Sequence, residues 1–195
     1  MMMKKIAVAT LFASVALAAH AGTELVTNGD FETGDVAGWT EAGNLAGGAV
    51  FPVATDPVNS SNILAIFAVD SPYYVSQNLQ TRAGQSYNLS FDLQVQGVPA
   101  TPGAVSFEAY FNGVKLVNVV DQTMEWTHFS FNNLRAGSAL TELKFGGRDD
   151  PDFIRLDNVS VSAAPVPEPE TYAMLLAGLG LLGFAACHKK AIKLA

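Results

Sequence analysis

Residues 86–96 alternate without a break: Tyr87, Leu89, Phe91, Leu93 and Val95 fall on one parity, and Asn88, Ser90, Asp92 and Gln94 on the other. Successive side chains of a strand point to opposite faces, so this period of two marks a half-buried antiparallel strand. Residues 105–111 repeat it, with Val105, Phe107, Ala109 and Phe111 expected inward. Asn112-Gly113 follows, a dipeptide that tolerates φ > 0 at both positions, and 114–120 is then the return strand of a hairpin. Further strands are predicted at 24–26, 49–53, 63–69, 73–78, 126–131, 139–145 and 154–161. Outside its two ends the chain shows no sustained helical periodicity. Many short strands separated by turn residues predict an all-β domain, an antiparallel β-sandwich or jelly roll.

The last strand is irregular. Ile154 and Leu156 share one parity, Val159 and Val161 the other, with Asp157-Asn158 at the change. One extra residue there would restore the facing, which predicts a β-bulge. The alternative is a strand buried on both faces at that point.

Both ends of the chain are addressed elsewhere. Lys4 and Lys5, the apolar stretch 6–19 and Ala19-His20-Ala21 make a secretory signal with an A-x-A site, so residues 1–21 are a signal helix cleaved after Ala21. At the other end, Val166-Pro167-Glu168-Pro169 is stiffened and extended by its prolines. Residues 171–187 are uncharged and mostly apolar, near the lower length limit for a transmembrane helix. The end at 188–195 is basic, and Lys189, Lys190 and Lys193 would hold it on the cytoplasmic side. This order resembles the PEP-CTERM sorting signal of Gram-negative bacteria. The resemblance implies export, transient membrane anchoring, and cleavage near the motif by an integral-membrane protease of the exosortase type. It also implies delivery to the cell surface or biofilm matrix of an exopolysaccharide-making cell. A permanent anchor on a proline-rich stalk is the plainer alternative.

Residues 22–164 remain for one domain. They hold 16 acidic and 6 basic side chains, a net charge of 6 − 16 = −10. Such a surface excludes nucleic acid as partner but suits divalent cations and neutral glycans. The single cysteine, Cys187, lies in the tail, so the domain has no disulfide and no thiol chemistry.

Two segments bracket the domain: 25–34 followed by Gly38-Trp39, and Ile154-Arg155-Leu156-Asp157-Asn158-Val159-Ser160-Val161. They resemble the opening and closing strands of galactose-binding-like jelly rolls, the fold of many carbohydrate-binding modules. The resemblance implies that the terminal strands pair and that a structural Ca²⁺ can sit near them, with Asp30, Glu32 and Asp157 as the matching carboxylates. The residues alone leave the other possibility open, a plain turn at Asn28-Gly29-Asp30 with carboxylates that are solvated or cap amides. Asp149-Asp150-Pro151-Asp152 lacks the spacing of a calcium loop and reads as an acidic turn. A sugar site needs exposed aromatic rings, and the candidates are Trp39, Tyr73, Tyr74, Trp126 and Tyr110. Tyr73-Tyr74 stands out because adjacent strand residues point to opposite faces, so one ring must leave the core.

Catalytic constellations are mostly absent, with paired carboxylates for glycoside hydrolysis left open because their separation is a three-dimensional quantity. The domain has one histidine, His128, and neither G-x-S-x-G nor H-E-x-x-H. The G-x-G-x-x-G at 178–183 lies within the apolar span and follows no strand, so it is no dinucleotide site. The expectation is a non-enzymatic exported surface or matrix protein. A module binding exopolysaccharide is the alternative, and a small glycan-active enzyme the third.

Overall fold

The structure, a computed structural model, describes residues 22–52, 62–99, 101–150, 152–165 and 173–182. The signal segment 1–21, the motif Val166-Pro167-Glu168-Pro169 and the basic end lie outside the described residues. In chain order the strands are β1 (Thr40–Gly43), β2 (Gly48–Pro52), β3 (Asn62–Ile66), β4 (Tyr73–Gln80), β5 (Ser86–Val95), β6 (Val105–Phe111), β7 (Val114–Val120), β8 (Met124–Arg135), β9 (Leu140–Asp149) and β10 (Ile154–Ala163). They form two antiparallel sheets. The front sheet runs β1-β4-β9-β6-β7 and the back sheet β2-β3-β10-β5-β8.

The alternating segments do what their period dictates. Tyr87, Leu89, Phe91, Leu93 and Val95 of β5 all point into the space between the sheets, as do Val105, Phe107, Ala109 and Phe111 of β6. Phe91 sits at the centre. Its ring meets Phe145 of the front sheet edge-on at 5.1 Å and stacks on Phe129 at 5.2 Å. Side chains from both inner faces interdigitate in this way to make one core, without a disulfide to hold it.

The hairpin turn falls at Asn112-Gly113, with φ of 52° and 74° and Phe111 paired to Val114. The bulge in β10 is also present. Asp157 pairs Asp92 and Ser160 pairs Ser90, so two residues of β10 oppose Phe91 alone. Asn158 takes the left-handed backbone, φ 52°, and its side-chain amide donates to Asp92 Oδ2 at 2.9 Å.

Three expectations need correcting. Residues 24–26 form no strand beyond a single bridge from Glu24 to Ser162. The Glu24 carboxylate does the joining instead, accepting from the amides of Leu25, Val26 and Val161 and from the Ser160 hydroxyl. β3 ends at Ile66, and Asp70 turns the chain with φ 66°. β1 was not foreseen, because all four of its residues are exposed and carry no alternation.

The tail is described only at 173–182, a helix whose side chains are exposed. Ten residues span about 15 Å, half of a bilayer core. No helix among the described residues is long and apolar enough to cross a membrane. The rest of the predicted 171–187 span lies outside them.

Candidate functional site: the outer face of the front sheet

Strand parity places a polar and aromatic surface opposite the core. On β4, Tyr73, Val75 and Leu79 point inward, leaving Tyr74, Ser76 and Asn78 on the outside. Register then aligns the outward residues in rows across the sheet. Tyr74, Gly146, Glu108 and Asn118 form one row, and Ser76, Lys144, Tyr110 and Lys115 the next.

Gly146 is what lets Tyr74 lie down across β9. A Cβ at that position would sit 2.3 Å from the tyrosine ring. Glycine inside a strand marks such a close approach. Beside it, the Lys144 ammonium lies 4.8 Å from the Tyr110 ring centre and 5.9 Å from that of Tyr74. Lys115 Nζ also lies near the Tyr110 ring, 5.5 Å from its centre. Exposed cation–π contacts stabilise by about 0.5–1 kcal/mol each, enough to bias these flexible side chains toward the rings.

Glu108 ties the row together. It accepts from the Tyr110 hydroxyl at 2.6 Å and from Lys115 Nζ at 2.5 Å, and Lys115 also donates to Asn118 Oδ1 at 3.2 Å. Partial burial pushes the Glu108 carboxyl up, but the hydrogen bonds from Lys115 and Tyr110 and the charges of Lys115 and Lys144 outweigh it, so it lies below its ordinary value. The same bond to Glu108 raises the Tyr110 hydroxyl. Glu108 is therefore a carboxylate at neutral pH, and Tyr110 a hydrogen-bond donor. Two half-exposed rings ringed by donors and acceptors can stack against the apolar face of a sugar and hydrogen-bond its hydroxyls.

The other sequence candidates go elsewhere. Tyr73 is 0% exposed and donates its hydroxyl to Glu41 Oε1 at 2.8 Å; burial, with that bond, raises its ionisation. Trp39 is 8% exposed, stacked on Phe31 at 5.9 Å, with its indole N–H donated to the Asn28 carbonyl at 3.0 Å. Neither ring faces solvent, because both fill the sandwich. Trp126 is half-buried on the outer face of the back sheet, against Ile63 and Ala65.

Asp30, Glu32 and Asp157 do not converge. No group of three His, Cys, Asp or Glu side chains among the described residues is placed to hold a metal ion. Asp30 accepts from the Glu32 amide at 3.4 Å, Glu32 from the Asn62 amide at 2.7 Å, and Asp157 from the Asn158 amide at 2.7 Å. Each of the three thus accepts from a backbone amide. An open hollow of about 380 Å³ lies by Asp30, lined also by Glu24, Gly29, Asn158 and Ser160. His128, given no role by sequence, is exposed and pairs with Asp92 at 2.7 Å on the back sheet.

Comparison with known proteins bears on the tail and on the fold separately. Residues 165–190 match the family model of the PEP-CTERM protein-sorting motif. The chain carries a PEP-CTERM sorting motif. A protein with this motif is exported and handled by an exosortase, as the order of proline motif, apolar run and basic end implies. No curated protein sequence matches the chain at a significant level.

Solved structures match the sandwich. TmCBM61, a carbohydrate-binding module in complex with β-1,4-galactotriose, superposes with a TM-score of 0.60 at 14% identity, covering 73% of this chain and 99% of its own. The C-terminal family 22 carbohydrate-binding module of Clostridium thermocellum Xyn10B gives 0.50 at 14% identity, over 75% and 96%. The K3 adhesin domain of Lys-gingipain from Porphyromonas gingivalis gives 0.50 at 15% identity, over 72% and 99%. The fold of the domain is thus an antiparallel β-sandwich similar to those of these modules.

Proposed function

We propose that this is an exported, non-enzymatic, glycan-binding protein of the cell surface or extracellular matrix, and that it binds polysaccharide on the outer face of its front sheet. One observation carries the reading: Tyr74, Lys144 and Tyr110 form a continuous aromatic and cationic array on the outer face of the front sheet. The similar modules add support, since one is solved with a galactan oligosaccharide and the study of another concerns ligand binding in its cleft. Against catalysis stands the position of the domain's only histidine, exposed on an open sheet. The exosortase supplies the route, cutting near Glu168 and releasing the domain from its membrane span.

The test is affinity electrophoresis of the full chain through gels containing soluble polysaccharides. Tyr74→Ala and Tyr110→Ala should each weaken binding about tenfold, the value of one stacking contact near 1.4 kcal/mol, with melting temperature unchanged. Retention of the wild type by no glycan would return the protein to a matrix role without a ligand.

A further inference from the structure

Three of the six cationic side chains between residues 22 and 164 stand on this one face: Lys115, Lys144 and Arg148. That concentration runs against a domain whose net charge is −10. Lys115 is neutralised by Glu108. Lys144 and Arg148 are not, since among the described residues neither has a carboxylate within 4 Å. Among the described residues Lys144 lies beside the rings of Tyr110 and Tyr74 without a hydrogen-bond partner. Arg148 is half-buried, and its side chain makes no hydrogen bond among the described residues. A guanidinium with no protein acceptor is open to one from outside.

The placement of the two free cations is regular. They lie four residues apart on β9, about 13 Å along the strand, with the Tyr74 ring over Gly146 between them. Tyr110, Lys144, Tyr74 and Arg148 therefore alternate ring and charge across the sheet. We propose that this face selects an acidic polysaccharide whose sugars bear carboxylates, of uronate type. The sugar faces lie on Tyr110 and Tyr74, and carboxylates are taken by Lys144 and Arg148. The Arg148 guanidinium suits that acceptor because its parallel N–H groups match the two oxygens of a carboxylate. A neutral glycan would use the rings and leave both cations as they are.

The inference rests on the glycan-binding reading above, and its test separates the two. The full chain, in mild detergent and EDTA, is titrated with polygalacturonate, with the same polymer after its carboxyls are reduced to alcohols, and with dextran sulfate. Polygalacturonate should bind at least about tenfold more tightly than the reduced polymer. Raising salt from about 50 to about 500 mM should remove most of that excess, because exposed charges are screened. Lys144→Gln and Arg148→Gln should each bring polygalacturonate toward the affinity of the reduced polymer. Arg135→Gln, which removes the same charge from the back sheet, should not. Equal affinity for polygalacturonate and its reduced form overturns selection for acid but leaves glycan binding standing. Dextran sulfate bound as tightly as polygalacturonate overturns the carboxylate and leaves charge alone. Binding of neither galacturonan form overturns this inference, and retention by no polysaccharide in the gels overturns the glycan-binding reading as well.

Discussion

Phe31 shows how single residues are used here. It is a bulky side chain held at φ 53°, a conformation that L-residues other than Asn and Asp seldom adopt. Complete burial and stacking on Trp39 hold it there. Its neighbour Gly29 allows the entry loop to touch the last strand, since a Cβ at Gly29 would lie 2.0 Å from the Val159 carbonyl. The buried Asp149 is a different case. Burial raises its carboxyl above the ordinary value, and the amide of Gly97, donating to Oδ2 at 3.1 Å, only partly offsets this. A carboxyl raised in the folded state favours folding when protonated, so its contribution is greatest at low pH and is lost as pH rises from the unfolded value through the folded one. Asp149→Asn should therefore raise the melting temperature at pH 7, and the gain should vanish as pH falls below about 4. Thermal melts of both proteins across that window check the sign. A gain that is the same at every pH would mean that the charge of Asp149 is irrelevant.

At the scale of elements, the bulge in β10 is the clearest case of pattern becoming geometry. A strand with a strict period of two would have turned either Ile154 and Leu156 or Val159 and Val161 to solvent. The two-for-one pairing opposite Phe91 keeps all four inside. Asn158 is suited to the extra position because it accepts left-handed backbone and its amide reaches Asp92. Replacing it by valine should cost about 2–3 kcal/mol, the sum of a β-branched residue at positive φ and a lost hydrogen bond. Asn158→Gly loses only the bond and should cost about 1 kcal/mol. Urea unfolding of the two variants would order them, and the reverse order would remove Asn158 from the role given to it. β1 carries the opposite lesson. Nothing in Thr40-Glu41-Ala42-Gly43 predicts a strand, and it exists because the free edge of β4 offers a ladder to pair with.

At the scale of the molecule, a stable sandwich and a sorting tail have separate tasks. The domain is built around an aromatic core and has no cysteine for a disulfide. The tail directs it. A permanent anchor needs only hydrophobicity, whereas a protease must recognise a peptide. Glu168, fixed between two prolines, is the one charged side chain such an enzyme meets in the Pro-Glu-Pro motif. Glu168→Ala should therefore leave export intact and block maturation. Intact masses of wild type and variant, from cells with and without the sorting enzyme, would decide it: only wild type with the enzyme should lose the residues leading to Ala195. Complete tails in all four samples would make the chain a simple anchored protein.

What the sequence determined by itself were properties carried by near neighbours. The period of two in β5 and β6, the Asn112-Gly113 turn, the parity change in β10 and the order of segments in the tail are all local. Parity even required that either Tyr73 or Tyr74 leave the core. Which of the two left was decided only by the sheet, where Tyr73 found Glu41 and the interior while Tyr74 found the space over Gly146. The same holds for Trp39, which looked available and was taken by Phe31, and for the three carboxylates, which were taken one by one by backbone amides. Lys144 and Arg148 gave no signal of their own. Their meaning comes from strands β4 and β6 lying on either side of β9, a pairing that reaches from Tyr73 to Gly147. Strand parity is a local quantity, but which face meets which, and what then stands beside a lysine, is set only when distant strands pair.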